Sequence, residues 1–134
     1  MMTNDPIADL LTRIRNAVAV RHAVVVLPHS RTKWEIVQLL QANGYVQDAV
    51  VLPGKDTGFS EIKLTLKYTA EGEPIIQGLR RVSRPGQRIY TSVGRLGYVL
   101  GGVGATVVST SKGIMTDKVA RQQNLGGEVL FKIW

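Results

Sequence analysis

The fold of the first half of the chain is decided by the stretch Ser60-Glu61-Ile62-Lys63-Leu64-Thr65-Leu66-Lys67-Tyr68. Its apolar side chains alternate with polar ones, which is the period-two pattern of a strand with one buried face. Residues 45–52 form a second predicted strand, and residues 53–58 between the two are typical of a turn. We therefore predict a sheet that packs one face on other elements and exposes the other to solvent.

A first amphipathic helix is predicted near the start of the chain. Asn4 or Asp5 can cap it, and Pro6 suits its first turn. Apolar residues then recur at three- and four-residue spacing, which places them on one helix face. They are Ile7, Leu10, Leu11, Ile14, Ala17 and Val18. On the opposite face, Asp9 and Arg13 have the spacing of an i,i+4 ion pair.

A second helix is predicted after Pro28 and Ser30. Thr32 and Glu35 fit a capping box at its start, and Asn43-Gly44 suits its end. Its buried face is expected from Ile36, Val37, Leu39 and Leu40. The first half of the chain is therefore expected to be two helices packed on a short sheet.

The second half of the chain is more β-rich. Strands are predicted over residues 75–83, 88–91, 105–109 and 129–133, with a weak helix over 93–100. Thr116 or Asp117 can cap a short helix that ends at Asn124, before Gly126-Gly127. The polar segment 69–74 is the best candidate for a boundary. We predict an α+β fold with two small α/β domains, an N-terminal one over residues 1–70 and a β-rich C-terminal one over 71–134.

Charge is distributed unevenly along the chain. There are 17 Lys and Arg against 10 Asp and Glu, a net charge of +7 over 134 residues. No acid occurs between Pro74 and Thr116, and that segment contains Arg80, Arg81, Arg84, Arg88, Arg95 and Lys112. A uniformly positive region favours a polyanionic partner. By itself the excess fits RNA, DNA, an anionic membrane surface or simple solubility.

Composition also excludes several classes of protein. Because the chain has no Cys, it forms no disulfide, Cys-ligated zinc site or catalytic thiol. Its first residues lack a basic and apolar leader, so no signal peptide is expected. The glycine-broken apolar segment 96–108 is shorter than the roughly 20 residues that a membrane helix needs. We expect a cytoplasmic protein without cofactor, metal or membrane contact.

A row of hydroxyl side chains follows the β-branched run Thr106-Val107-Val108. The row is Ser109-Thr110-Ser111, and Lys112 and Gly113 come directly after it. Hydroxyls both donate and accept hydrogen bonds, which suits ribose 2′-OH groups and exposed bases, and the lysine adds a charge for phosphate. The same residue types form many ordinary turns. The residues alone leave both interpretations open.

Catalysis has little support in the sequence. Ser109 and Lys112 match a Ser-x-x-Lys pattern, but that pattern needs a helix, which Gly113 disfavours, and further elements on a much larger fold. The glycines within 101–104 precede a predicted strand, whereas phosphate-binding loops follow one. His22 and His29 have no carboxylate or Cys at ligand spacing and fit surface or structural roles. We therefore expect no enzyme.

Four stretches, in order along the chain, carry a family resemblance. They are residues 5–17 (DPIADLLTRIRNA), residues 81–86 (RVSRPG) with Ile89-Tyr90, residues 109–117 (STSKGIMTD), and Ala120-Arg121 with Gly126-Gly127-Glu128. Together they resemble the bacterial form of the small-subunit ribosomal protein eight family over essentially the whole chain. The resemblance implies a two-domain α/β scaffold protein, not a catalyst.

The resemblance also implies a function and partners. Members of the family bind the central domain of small-subunit ribosomal RNA directly and support its assembly, beside neighbouring small-subunit ribosomal proteins. In bacteria the family also represses translation of its own operon by binding a similar messenger RNA structure. The expected location is the ribosome, in the cytoplasm.

RNA contacts are implied at the positions that match the family. In the second domain they are Ser109, Thr110, Ser111, Lys112, Gly113, Tyr90 and Glu128, and Arg84 and Arg88 add attraction for phosphate. In the first domain they are Thr3, Asp5, Pro28, Ser30, Arg31 and Lys33. These two sets are the predicted RNA-binding residues.

Several of these residues have equally good ordinary roles. Tyr90 either contacts RNA or packs in the core, and Gly113 either lets RNA approach or serves the turn. Asp5 and Ser30 suit helix caps. Glu128 is unexpected beside phosphate, so it either accepts a hydrogen bond from an exposed base or amino group or braces the loop. A solvated charged face explains the two arginines equally well.

Two other functions fit the same sequence. The apolar segment 96–108 could dock a partner chain, as in a protein-interaction module. An RNA-binding regulator acting away from the ribosome would use the same basic half. Self-association that survives nuclease and high salt would favour the first, and failure to sediment with ribosomal subunits would favour the second.

Overall fold

The computed structural model describes residues 5–54 and 59–134, which form two compact units. One is Pro6–Ile76 and the other is Gln77–Trp134 together with Asp5. The division comes later than the boundary predicted between residues 70 and 71. The first unit extends further because the Ile75 N–H donates to the carbonyl of Lys67 at 3.0 Å. The predicted cap at Asn4 and part of the predicted turn at 53–58 lie outside the described residues.

The first unit contains α1 (Pro6–Ala19), β1 (Val24–Pro28), α2 (Arg31–Ala42), β2 (Val46–Leu52) and β3 (Glu61–Leu66). β3 lies between β1 and β2 and pairs antiparallel with both. The alternation predicted for β3 is confirmed, because Ile62, Leu64 and Leu66 are buried while the charged side chains beside them are exposed. Both helices contact the sheet and each other, as expected from their apolar stripes.

The start of α2 differs from the prediction. Ser30 is the N-cap, and its Oγ accepts the N–H of Lys33 at 3.1 Å. The predicted capping box of Thr32 and Glu35 is wrong, because the helix begins at Arg31 and Thr32 already lies inside it. The predicted pair between Asp9 and Arg13 on α1 is confirmed, at 3.2 Å.

The second unit is an antiparallel sheet with one short helix. Its elements are β4 (Leu79–Arg81), β5 (Tyr90–Thr91), β6 (Ala105–Thr110), β7 (Gly113–Thr116), α3 (Asp117–Gln122) and β8 (Gly127–Ile133). The strand order is β4-β8-β6-β7, and β5 also pairs with β8. A core cluster of Leu96, Val108, Met115, Ala120 and Val129 joins the sheet to α3. The α+β fold class is confirmed.

Three predictions for the second unit need correction. The weak helix over 93–100 is absent, and two 3-10 turns, Val93–Arg95 and Leu100–Gly102, stand in this region. A regular helix does not form there because Leu96 and Val99 have extended backbone, with ψ of 107° and 122°, and Leu100 has a positive φ of 48°. The strands predicted over 75–83 and 88–91 shrink to β4 and β5, although the N–H groups of Val82 and Ser83 still donate to the carbonyls of Leu130 and Val129 on β8, both at 3.0 Å. Residues 113–116, for which no strand is predicted, form β7.

Among the described residues, no helix is both long enough and apolar enough to cross a membrane.

Candidate nucleic-acid interface

The predicted hydroxyl loop is the tip of a tight hairpin between β6 and β7. Thr110 pairs with Gly113 at the ends of the two strands, so that Ser111-Lys112 alone form the turn. Gly113 has φ +115, a conformation that L side chains rarely adopt, and an added Cβ would meet no atom within 4 Å. The backbone conformation, and not packing, therefore requires glycine here.

Thr110 holds the hairpin turn in place. Its hydroxyl accepts the N–H of Lys112 at 3.1 Å and donates to the carbonyl of Gly113 at 2.9 Å. The proton of this hydroxyl is thus already used inside the protein. Thr110 is placed to shape the turn more than to donate to a partner.

Ser109, Ser111 and Lys112 are the groups that the hairpin leaves available. Ser111 and Lys112 are exposed and Ser109 is half-buried. Within the described part of the chain, none of these three side chains forms a hydrogen bond or ion pair. The hairpin therefore presents two uncommitted hydroxyls and one cation at its tip.

The sheet aligns other predicted residues with this hairpin. Glu128 on β8 lies between two partners, Tyr90 on β5 and Ser109 on β6. Ser109 is in turn paired with Ile114 on β7. Directly paired residues of antiparallel strands point to the same face. Residues far apart in sequence thus form one row across the sheet, which we call the recognition row (Tyr90, Glu128, Ser109 and Ile114).

Tyr90 projects from this row into solvent. Its side chain is 70% exposed. The core alternative for this tyrosine is therefore excluded. An exposed aromatic ring beside hydroxyl groups is suited to stacking on a base or packing against a ribose.

Glu128 is paired with Arg88. Arg88 Nη1 donates to Glu128 Oε2 at 3.1 Å, and the carboxylate side chain is only 14% exposed. The arginine offsets the negative charge that would otherwise repel phosphate. This pairing fits the bracing role for Glu128, and the carboxylate oxygen that Arg88 does not bind can still accept a hydrogen bond.

Two further residues support the hairpin, and the sequence analysis gave them no function. Asp117 is buried; one of its oxygens accepts the N–H of Thr106 at 3.1 Å and the other lies 2.7 Å from Arg121. Arg121 also donates to the carbonyls of Leu96 and Gly97. Their i,i+4 spacing on a helix capped at Thr116 was the signal available in the sequence.

Arg84 lies in a tight turn after β4, where Arg84 and Gln87 exchange backbone hydrogen bonds of 3.0 and 2.9 Å.

The second unit has more cations than its acids can pair. Each acid in residues 77–134 pairs with an arginine: Asp117 with Arg121, and Glu128 with Arg88. Several cations of this unit have no ion pair among the described residues: Arg80, Arg84, Arg95, Lys112, Lys118 and Lys132. The second unit therefore has a strongly basic surface in addition to the recognition row.

The predicted residues of the first domain are used differently. Pro28 and Arg31 are exposed, and Arg31 lies 3.5 Å from Glu35. Lys33 is only 7% exposed, and its Nζ lies 3.0 Å from Asp9. This buried pair argues against an RNA contact by Lys33, because its charge is already satisfied inside the fold.

Two more predicted residues have roles in the fold, and one cannot be placed. Ser30 caps α2, as described above. Asp5 accepts two hydrogen bonds from the half-buried Arg81, at 3.1 and 3.2 Å. Thr3 lies outside the described residues.

The pKa of Asp9 reflects its pairing. Burial, the largest single influence, raises the pKa of this carboxyl. Hydrogen bonds from Lys33 and Arg13, together with the charges of both, outweigh burial, so that the pKa lies below its ordinary value. The folded state therefore favours the charged form of Asp9.

Comparison of the whole sequence with known proteins identifies the family of the chain. The family model described as ribosomal protein S8 matches residues 5–134. The chain belongs to the ribosomal protein S8 family. It is 49% identical to the small ribosomal subunit protein uS8 of Halalkalibacterium halodurans and 50% identical to those of Acholeplasma laidlawii and Roseiflexus castenholzii. Each of these alignments covers the whole of both chains.

Membership of the ribosomal protein S8 family assigns a structural role and a place in the ribosome, and not an enzymatic activity. Among residues 5–54 and 59–134, no group of three or more His, Cys, Asp or Glu is arranged to hold a metal ion. Of the second-domain residues that the S8 resemblance implies, the sheet pairs Tyr90, Glu128 and Ser109 in one row. The hairpin adjoins this row, and Arg84 lies outside it, in the turn after β4.

Proposed function

We propose that this chain binds the central domain of small-subunit ribosomal RNA directly and supports assembly of the subunit. The observation that carries the proposal is the recognition row beside the hairpin turn. It combines an exposed tyrosine, uncommitted serine hydroxyls and unpaired cations on one unit. The binding residues are Ser109, Ser111, Lys112, Tyr90 and Glu128, with Arg84 and Arg88 near phosphate and with Thr110 and Gly113 shaping the turn.

The chemistry of these residues favours an irregular RNA helix. The major groove of A-form RNA is too deep and narrow for side chains, so specific binding uses displaced bases or the shallow minor groove with its 2′-OH groups. Small hydroxyls on a narrow hairpin fit that approach, because they donate and accept at short range. The cations around them add a sequence-independent attraction for phosphate.

The proposal includes a second RNA contact in the first domain. Pro28 and Arg31 are exposed and remain candidates, as does Thr3. Ser30 can contact RNA only while it also caps α2. Lys33 and Asp5 are left out of the proposed RNA contacts, because each is held in an ion pair inside the protein.

Neighbouring small-subunit ribosomal proteins are proposed to contact the segment between β5 and β6. Leu100 and Val103 are 62% and 81% exposed, and Leu100 has a positive φ of 48°. Exposed apolar side chains on strained backbone are typical of interaction sites. A Val103→Asp variant should bind RNA normally and be incorporated poorly into subunits. Normal incorporation would contradict this contact.

Translational repression of its own operon is proposed from the family resemblance, through the same surface. A messenger structure that resembles the ribosomal site would meet the same hydroxyls and tyrosine. The messenger leader and the ribosomal RNA should then compete for one site, and Ser111→Ala should weaken both. Simultaneous binding of the two RNAs would contradict a shared surface.

The main experiment measures filter binding of a transcript of the central domain of small-subunit ribosomal RNA. Ser111→Ala should weaken binding by about 1–3 kcal/mol, because the polar groups that met the hydroxyl are left unpaired. Ser92→Ala is the matched control, since Ser92 is exposed in the same unit and its side chain makes no capping hydrogen bond. A DNA copy should bind more weakly than the RNA. No effect of Ser111→Ala would remove the hairpin from the interface, and equal binding of RNA and DNA would contradict the proposed preference for RNA.

A further inference from the structure

Two cations face each other across neighbouring strands of the second unit. Arg80 on β4 pairs directly with Lys132 on β8 in the antiparallel register. Directly opposed side chains have Cβ atoms about 4.5–5.5 Å apart, and like charges in this position are destabilising. No carboxylate of the described residues forms an ion pair with either cation. The juxtaposition is therefore unfavourable for the protein alone.

The surroundings of this pair are also cationic. A pocket of about 370 Å³ is lined by Arg80, Arg81, Arg84 and Lys132 together with Gln87. Arg81 is satisfied by Asp5, at 3.1 Å. The other three cations have no anionic partner among the described residues. A cleft with several unpaired cations and no acid is suited to a bound anion, which would relieve their mutual repulsion.

We propose that this Arg80–Lys132 pocket binds a phosphodiester group of the RNA backbone. The inference rests on the proposed RNA-binding function and assigns a phosphate subsite outside the recognition row. A phosphate accepts several charge-assisted hydrogen bonds, and the guanidinium fork of an arginine matches its geometry. The ammonium group of Lys132 adds a point charge on the opposite strand.

RNA is favoured over an acidic protein segment because the pocket and the recognition row share a strand. Lys132 lies four residues after Glu128 on β8, roughly 13 Å further along at about 3.3 Å per residue. The pairing of β8 with β6 shifts by one residue between Val107 and Val108, so Lys132 and Glu128 project from opposite faces of the sheet. One RNA can reach both places by passing around the sheet edge that β4 and β5 form beside β8. Arg84 and Arg88, on the connection from β4 to β5, extend the positive surface between them.

The proposal predicts that binding and stability change in opposite directions. Removing either cation should weaken RNA binding, and it should leave the free protein as stable or more stable, because the repulsion between like charges is removed. Lys132→Glu should change RNA affinity and protein stability more than the alanine variants do, because it replaces the repulsion by an ion pair with Arg80. A residue with a purely structural role would lose stability when changed.

The test compares Arg80→Ala, Lys132→Ala and Lys132→Glu with Lys63→Ala, which serves as the control because Lys63 is an exposed lysine on β3 of the first unit. Filter binding to the central-domain transcript is measured over a range of salt concentrations, and thermal unfolding is measured without RNA. Each alanine variant should lose roughly two- to fivefold in affinity. Its slope of log K against log salt should become shallower by about 0.7–0.9 for each phosphate that the variant no longer neutralises. Lys63→Ala should change neither the affinity nor the salt slope.

The outcomes separate this inference from the proposed function. Unchanged affinity and salt slope in Arg80→Ala and Lys132→Glu, with Ser111→Ala still weakening binding, would overturn the phosphate pocket and leave the proposed function standing. Unchanged RNA binding, together with disappearance of a crosslink to a ribosomal protein in reconstituted subunits, would assign the pocket to an acidic protein segment and overturn the RNA inference. If the unsubstituted protein does not prefer the transcript to its DNA copy, both fail together.

Discussion

The carboxylate of Asp117 lies 2.7 Å from the guanidinium of Arg121, one turn further along α3. The same carboxylate accepts the backbone N–H of Thr106 on β6. Arg121 in turn lies over the ring of Tyr98, 3.8 Å from its centre, and donates to the backbone before it. One mostly buried ion pair thus connects the helix, the hairpin strand and the loop after β5.

This connection predicts graded losses of stability for substitutions at Asp117. Asp117→Asn can still accept the Thr106 N–H but leaves Arg121 without its counter-charge, so the free energy of unfolding should fall by about 1–3 kcal/mol. Asp117→Ala should be worse, because it also leaves a buried N–H without an acceptor. Urea unfolding measures both variants. Equal stability of the two would contradict the role given to the Thr106 hydrogen bond.

Thr110 provides a second prediction, about positioning. Thr110→Val keeps the shape of the side chain but removes the hydroxyl that holds Lys112 and Gly113. Stability should fall by about 1 kcal/mol, and RNA affinity should fall because the turn is less ordered. Thr110→Ser keeps the hydroxyl and should bind nearly as well as the unsubstituted protein. The effects of Thr110→Val and Ser111→Ala on RNA affinity should not be additive, which a double-mutant cycle measures. Strict additivity would show that the two hydroxyls act independently.

The regular parts of this fold could be predicted from local pattern. The stripe of α1 and the alternation of β3 are simple periodicities, and the structure buries nearly all of the residues that these periodicities select, with Val18 half-buried at the end of the α1 stripe. The prediction of a weak helix over 93–100 failed because it depended on residue composition, which does not indicate the extended backbone at Leu96 and Val99. The capping box failed because Ser30 and Thr32 offer nearly the same capping chemistry two residues apart.

The candidate site was predictable only in part. The hydroxyl hairpin is contiguous in sequence, so its residue types were visible together. The row of Tyr90, Glu128 and Ser109 depends on strand order, which brings three distant segments into register. The sequence could not show that Lys33 is buried. Its contact with Asp9 depends on the packing of α1 against α2 and not on its neighbours in sequence.

Tyr90 provides a third prediction, which separates binding from folding. Since its side chain is largely exposed, Tyr90→Leu should change the free energy of unfolding by less than about 0.5 kcal/mol. It should weaken RNA binding by about 1–3 kcal/mol if the ring stacks on a base. Tyr90→Phe retains the ring and should keep most of that affinity. A loss in Tyr90→Phe as large as in Tyr90→Leu would instead assign the contact to the hydroxyl. Filter binding and urea unfolding on the same preparations measure the two quantities.

The buried pair of Asp9 and Lys33 predicts how the first unit responds to acid. Because the pKa of Asp9 is lowered in the folded protein, this group stabilises the fold above its unfolded pKa of about 4. That stabilisation is lost as the pH falls from about 4 through the lower folded pKa. Asp9→Asn leaves Lys33 buried without its counter-charge and should reduce the free energy of unfolding at pH 7 by about 2 kcal/mol.

As the pH falls below about 4, the difference between Asp9→Asn and the unsubstituted protein should shrink, since Asp9 becomes protonated first in the unfolded chain and then in the folded one. Urea unfolding at a series of pH values measures this convergence. Glu35→Gln is the control, because Glu35 pairs with Arg31 at an exposed site and should change stability by less than about 0.5 kcal/mol. A difference between Asp9→Asn and the unsubstituted protein that stays constant from pH 7 to the lowest pH at which both fold would show that the carboxylate charge contributes nothing and that Asp9 acts only through packing.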